Sequence, residues 1–498
     1  MICITIAQES RHLLLADMLN AAMMGADLLE VRLDCLEHAP NFGDMLTARR
    51  KPLLFSCRRP QDGGQWKGSE DERLILLRQA VLSKAEYVEI EYDIADQIRP
   101  YPGCKRVISY TNTDKMPSAI ADIYEDMLAL KPDIIKLTVR ARTPEEAWPL
   151  VQILGKPRVP TIVTGIGRPG VMLAVLGQKI GAPWTSAALE RGMEAYPGQP
   201  TIRDLVEVYR IRDLGKGTRF VGVTGVGERE FLTTGLLNAA FAELELPHRV
   251  LPLQVGNLKM FRKVIEVVKL QGVTMEESFF ENVHETTALD ATARAPVGAA
   301  DLMTPGDDGW TSSNTLGAWA CDSLEKVLRQ RDPAHDPPLK GRIAMLAGVG
   351  PLTRMIAPAL KERGAALVFA SKDRAEALRL SQAFGGRQVA WEGVYATIHD
   401  VLVVSRDPDQ NETLGEDDMP IHPGYLKPTM TVLDLTGWPR RSRFLKEAAA
   451  RGCSIVQPAD LMVEQVRNHV RNWTGQDVAA EVLHERLLGW FDDHEPDA

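Results

Sequence analysis

The sequence predicts an α/β protein: an N-terminal (β/α)8 barrel, then a two-lobed α/β unit that contains a Rossmann nucleotide-binding domain. Three observations predict it. Up to about residue 214, apolar runs at 2–6, 28–33, 53–56, 87–90, 106–109, 134–139 and 161–164 alternate with amphipathic stretches, as βα units of a parallel sheet do. Several of these runs end in charged residues, where the βα loops of a barrel carry chemistry. Past residue 339, Gly341-Arg-Ile-Ala-Met-Leu-Ala-Gly348-Val-Gly350-Pro-Leu-Thr-Arg354 reads as a strand, a Gly-rich turn and a helix start.

Composition sets the bounds. At 498 residues the chain exceeds a single core and should hold two or three domains. Hydrophobic residues at 45% and charged residues at 25% are those of a globular protein. A net charge of −9 argues against nucleic acid or an anionic membrane as the main partner. The six cysteines lie more than twenty residues apart, which gives neither a disulfide framework nor a zinc set and suits a reducing cytoplasm. No His-x-x-x-His pair suggests a metal site. Neither a leader nor a membrane span is expected from the apolar runs, and the sequence fixes no oligomeric state.

In the first half, Lys136 organises the reading. It stands in Asp133-Ile-Ile-Lys136-Leu-Thr-Val139. An ammonium among apolar side chains is poorly solvated, which favours the neutral amine that attacks a ketone to form a Schiff base. The alternative is a strand-end lysine that reaches solvent. The motifs Glu30-Val-Arg32-Leu-Asp34, Ser56-Cys57-Arg58 and Ile108-Ser109-Tyr110, each closing another apolar run, favour a site.

Domains are expected at 1–214, 219–330 and 339–454, with C-terminal helices over 455–495 that, on the resemblance given below, pack back on the middle domain. Gly215-Lys-Gly-Thr218 is the first linker and the proline-rich stretch 331–338 the second. In the Gly-rich turn, Gly348 and Gly350 are present and Thr353 fills the third fingerprint position. Such a turn lets backbone N–H groups approach a pyrophosphate. The following apolar run ends in Ser371-Lys372-Asp373, where Lys372 suits an adenosine 2′-phosphate and Asp373 opposes it, so NADP is the expected cofactor. Trp438-Pro-Arg-Arg-Ser-Arg443 reads as a solvated basic turn.

With these residues set out, the chain resembles the fused type I 3-dehydroquinate dehydratase and shikimate dehydrogenase enzymes known from plants, including the junction Tyr196-Pro-Gly-Gln199-Pro-Thr-Ile-Arg-Asp-Leu205. The resemblance implies that Lys136 forms the imine and that Glu30, Arg32, Arg58 and Gln199 bind substrate. It also implies that Asp62 stands where the family carries a glutamate that orients a histidine. In the second half Leu237-Asn-Ala-Ala-Phe241 and Asn472-Trp473-Thr-Gly475 are intact, and Gln465 matches a substrate-binding glutamine.

Departures are as specific. The family's Ser-Tyr-His reads Ser109-Tyr110-Thr111, so the catalytic histidine is absent. A substrate arginine is Val171, with Arg168 the nearest cation, and a loop serine is Ala195. Phe231 and Thr233 replace a Ser-x-Ser carboxylate pair. Ser278 and Leu316 replace the proton-donating lysine and aspartate of the reductase, and Glu276, Glu277 and Glu281 make that loop acidic. The expectation is a shikimate-pathway fusion protein that dehydrates 3-dehydroquinate through Lys136 and carries a divergent NADP-dependent half. The alternatives are a catalytically silent quinate- or shikimate-binding regulator and an enzyme that uses the imine on another keto acid.

Overall fold

A computed structural model describes residues 1–167, 169–405, 421–436 and 438–492. The chain forms two compact units, one of Met1–Arg219 with Arg249–Phe261, the other of Phe220–His248 with the residues from Arg262 onward.

The first unit is the expected parallel barrel. Its strands are β1 (Ile2–Ile6), β2 (Leu28–Arg32), β3 (Leu53–Ser56), β4 (Tyr87–Glu91), β5 (Lys105–Asn112), β6 (Ile134–Arg140), β7 (Thr161–Ile166) and β8 (Thr185–Ala187). They lie in the order β7-β6-β5-β4-β3-β2-β1-β8. No ladder joins β7 to β8 among the described residues; between them lies a crevice lined by Thr164, Gly165, Leu173, Trp184, Ser186 and Tyr196. β8 has only three residues, Thr-Ser-Ala, and gives no apolar run to recognise.

Strand alternation decides what fills the barrel. Cys3, Leu28, Leu54, Val107, Ile134, Ile162 and Trp184, with Tyr87 against them, form one apolar cluster drawn from all eight strand positions. Side chains repeat on one face every two residues. Two residues along each strand from that cluster stand Thr5, Glu30, Ser56, Glu89, Ser109, Lys136, Thr164 and Ser186. Every one of them is buried. An apolar plug is therefore followed, toward the strand C-termini, by a layer of polar groups that must satisfy one another.

Ser69-Glu-Asp-Glu72 starts the helix Glu70–Leu82 with a capping box, the Ser69 hydroxyl taking the Glu72 N–H while Glu72 takes that of Ser69. This helix carries Arg73 inward, fully buried, where its Nη1 donates to the Cys57 carbonyl at 2.5 Å and to both Glu91 oxygens at 2.8 and 2.9 Å. Burial pushes the Glu91 carboxyl up to about 7 although Arg73 opposes the shift.

The second unit holds two sheets. One contains Arg219–Thr224, Val273–Thr274, Leu302–Gly306, Gly309–Ser313 and Ala288–Leu289 in that spatial order, with parallel and antiparallel pairs. The other runs Arg387–Ala390, Ala366–Ser371, Ile343–Ala347, Val401–Val404, Thr431–Asp434, Ser454–Ile455, all parallel. Numbered within this sheet, that is 3-2-1-4-5-6, the doubly wound dinucleotide-binding order. The helix Pro458–Thr474 packs on Glu228–Glu243 and Leu316–Arg331.

Glu91 makes a testable contribution. Its folded pKa lies above the ordinary 4.5, so between pH 4.5 and about 7 the folded chain holds a proton that the unfolded chain has lost. Its contribution therefore falls as pH rises through that window. Compared with Glu91→Gln, the parent should lose up to ~3 kcal/mol of stability from pH 4.5 to 7 by denaturant titration. Parallel pH profiles for the two proteins would contradict this.

Candidate active site

The polar layer brings Lys136 to two carboxylates. Its Nζ donates to Glu89 Oε2 at 2.7 Å and lies 3.5 Å from Glu30 Oε2. The apolar residues beside Lys136 in sequence, Ile135 and Leu137, fall on the opposite face of β6, so the apolar surroundings expected of its amine are not found. Lys136 is buried among charges, not among hydrocarbon.

Arg58 closes the cluster. Its Nη2 makes a short bond to Glu30 Oε1, and its Nε and Nη2 each donate to Glu89 at 3.3 Å. Glu30 also accepts from Ser56 Oγ at 2.9 Å and Thr5 Oγ1 at 3.3 Å. Two carboxylates and two cations thus balance inside the barrel. Burial alone would raise the pKa of Glu30, but Arg58, Lys136 and Arg32 overcome it and hold Glu30 well below the carboxylate range. Glu89 shows the same opposition and the same net lowering, through Arg58 and Lys136. Burial would lower the pKa of Arg58, yet Glu30 and Glu89 raise it.

The other expected residues are placed less uniformly. Arg32 is buried and spent on Asp34, donating from Nε at 2.9 Å and Nη2 at 2.7 Å, with a further bond to the Gly63 carbonyl at 3.3 Å. Asp62 accepts from Arg59 Nε at 2.6 Å. Thr111 lies on the inward face of β5, two residues beyond Ser109, which pairs in register with Lys136. Gln199 braces its own loop, its Oε1 accepting from Ala195 N at 2.7 Å, while its Nε2 is buried without a hydrogen bond. Val171 is the second residue of the helix Gly170–Ile180, and Arg168 lies outside the described residues. Tyr196 reaches the cluster electrostatically: burial raises its phenol pKa, Glu30 adds to that and Arg58 opposes it.

In the second unit, Gly348 and Gly350 form the turn after Ile343–Ala347 and begin the helix Pro351–Glu362. Gly348 has φ +100°, and a Cβ there would stand 2.2 Å from the Ser405 carbonyl oxygen. Thr353 does not face outward as a cofactor contact would. It is buried, donating to the Gly348 carbonyl at 2.8 Å and meeting Ser405 Oγ at 2.5 Å. Lys372 is exposed at the end of Ala366–Ser371. Asp373 caps the next helix by accepting from Glu376 N at 3.0 Å.

Ser278 is exposed and Leu316 buried. Gln465 is buried with Oε1 unpaired, one helical turn from His469. Both ring nitrogens of His469 lack a hydrogen bond, and its Nε2 is 3.6 Å from Asp301 Oδ2. The stretch at 438–443 is not simply solvated: Trp438 is buried under the Arg229 guanidinium, and Arg440 pairs with Glu228 at 2.7 Å.

The sequence reading missed Glu89, Asp301 and His469. Glu89 carried a signal, a single charge inside the run Tyr87-Val-Glu-Ile90, the same pattern that drew attention to Lys136.

Residues 2–216 match the family described as type I 3-dehydroquinase. A 3-dehydroquinate dehydratase of Methanopyrus kandleri is 34% identical over 195 residues, 37% of this chain and 87% of the relative. The chain belongs to the type I 3-dehydroquinase family. It is also 27% identical over 499 residues, 95% of this chain and 82% of the relative, to the chloroplastic bifunctional 3-dehydroquinate dehydratase/shikimate dehydrogenase of Arabidopsis thaliana. The solved dehydroquinate dehydratase and shikimate dehydrogenase of S. pombe AroM aligns over 98% of each chain at 17% identity and a TM-score of 0.44. Among the described residues no helix is long and apolar enough to cross a membrane.

On the sequence reading, Thr111 stands where the resemblance puts a catalytic histidine. A neutral hydroxyl cannot act as a base near pH 7, and loss of such a group typically costs about 10²–10⁴ in rate. Thr111→His should raise dehydratase turnover at least ~10-fold, followed by absorbance of the conjugated product. No gain in a variant with unchanged circular dichroism would mean that more than the histidine is missing.

Proposed function

We propose that the barrel dehydrates 3-dehydroquinate to 3-dehydroshikimate through a Schiff base on Lys136. The observation that carries this is the single buried amine in the polar layer, 2.7 Å from Glu89 and facing the strand C-termini, where barrels do chemistry. The amine attacks the ketone and water leaves. The resulting iminium draws electrons from the neighbouring C–H bond, whose proton goes to a base. The hydroxyl one carbon farther then departs as water, and hydrolysis returns the lysine. Arg58 offers the substrate carboxylate a guanidinium fork, and Gln199 and Arg32 shape the surroundings.

The second unit is, on this reading, a shikimate-dehydrogenase-like module that binds a nicotinamide dinucleotide and reduces nothing. The turn of Gly348 and Gly350 sits beside Ser405, at the crevice where the strand order reverses. That turn suits a pyrophosphate at the N-terminus of Pro351–Glu362, a role in which Thr353 shapes the turn from within. Lys372 and the exposed Arg374 beside it favour NADP over NAD, the more so because Asp373 is occupied in capping. With Ser278 and Leu316 in place, the lysine and aspartate through which the family supplies the proton for carbonyl reduction have no counterpart at those positions. This same loss, together with Thr111, favours a second reading in which the whole chain is a binding protein for dehydroquinate or shikimate.

Borohydride added with dehydroquinate should leave a reduced adduct on Lys136 by peptide mass spectrometry, absent in Lys136→Ala. An adduct that survives the substitution, or none in the parent, sinks the imine and leaves the binding-protein reading. In the second unit, Lys372→Ala should weaken NADPH binding about fivefold by calorimetry and leave NADH unchanged, as loss of one exposed charge contact allows. Equal effects on the two nucleotides would contradict recognition of the 2′-phosphate.

A further inference from the structure

Lys136 meets its substrate already engaged. As an ammonium bonded to Glu89 it has no lone pair, and something must take a proton before it can attack a ketone. Among the described residues, the carboxylates of Glu89 and Glu30 are the bases the structure sets beside its Nζ. They are not held alike. Glu30 keeps Ser56 and Thr5 whatever else happens. Glu89 is bonded by cations alone, Lys136 at 2.7 Å and Arg58 at 3.3 Å.

Arg58 is also the cation able to change partners. Arg32 is fixed by a two-pronged bond to Asp34, and its side chain is 3% exposed. Arg58 is 11% exposed; its firm bond is the short one to Glu30, and its bonds to Glu89 are long enough to be exchanged. An incoming carboxylate that draws Arg58 off those long bonds leaves Lys136 as the one cation still bonded to Glu89, while Glu30 keeps its hydroxyl donors and its short Arg58 bond. There a neutral acid and a neutral amine are favoured over a charged pair whose stabilising neighbour has gone.

Resting on the Schiff-base reading above, we propose that Glu89 is a catalytic residue, the proton carrier for Lys136, and that the substrate's own carboxylate switches it on by drawing Arg58 away. The step balances. Glu89 takes one proton from the ammonium, the amine forms the C–N bond, and the carbonyl oxygen gains that proton from Glu89 and one from nitrogen as it leaves as water. Ammonium and ketone have become iminium and water, and Glu89 is a carboxylate again. It thereby covers proton transfer at nitrogen, leaving to other groups the carbon-bound proton that the family's histidine moves.

The test is the rate of borohydride trapping on Lys136 in the full chain. With dehydroquinate the parent should trap at a rate nearly flat from pH 6 to 8. Glu89→Gln should trap at least ~100-fold more slowly at pH 7 and rise about tenfold per pH unit, because solvent must then remove the proton. A merely structural role would lower the rate without steepening the profile. Glu89→Asp should restore part of the rate and the flat profile. A second measurement needs no variant: a hydroxylated cyclohexanone without a carboxylate should trap slowly on the parent and be accelerated by added acetate. Equal rates in Glu89→Gln and parent, parallel pH profiles, or no effect of acetate overturn the proposal while the imine stands. Absence of trapping in the parent at every pH removes the imine itself and the proposal with it.

Discussion

Charge balance inside the strand layer is the constraint on which the rest of the first unit depends. Glu30 and Glu89 face Lys136 and Arg58 in a place water barely reaches, and no member can be removed singly without stranding another. Breaking one buried pair of this kind costs about 3–5 kcal/mol, a large part of what a domain has. The cluster is therefore held by its own arithmetic as well as by any chemistry. The apolar plug of Leu28, Leu54, Val107, Ile134 and Ile162 beneath it supplies the burial that makes the arithmetic strict.

That constraint also separates the two uses of arginine in the barrel. Arg73 and Arg32 are locked, one to Glu91 and Glu70, the other to Asp34 in a two-pronged geometry. Both act as struts between a strand end and its neighbouring loop or helix. Arg58 divides its donors between a short bond to Glu30 and two long ones to Glu89. The same residue type is thus structural or exchangeable according to how completely its donors are used.

Much of the fold was legible because a parallel barrel writes its strands as short apolar runs between amphipathic stretches. β8 escaped notice because Thr185, Ser186 and Ala187 are neither apolar nor numerous. The site was half legible. Glu30, Arg58 and Lys136 stood out as charges at strand ends, and the structure brings these three together. The surroundings of Lys136 were misjudged because neighbours in sequence are not neighbours in space along a strand. Glu89 carried the same signal and was passed over. In the second unit the inward turn of Thr353 depends on Ser405, 52 residues later, which no local pattern reveals. The isolation of His469 beside Asp301 is equally a product of tertiary packing.

The contact between Gly348 and Ser405 carries a consequence for how such turns are interpreted. With the Ser405 carbonyl 2.2 Å from where a Cβ would be, and φ at +100°, the glycine is demanded by two strands converging at the crevice before any phosphate arrives. A side chain there would collide with Ser405, just past Val401–Val404, in the presence or absence of nucleotide. The motif most often taken as a mark of ligand binding is here also a mechanical joint. If, as proposed, Ser278 and Leu316 stand where a reductase carries its lysine and aspartate, that half still has to keep the glycine in order to fold.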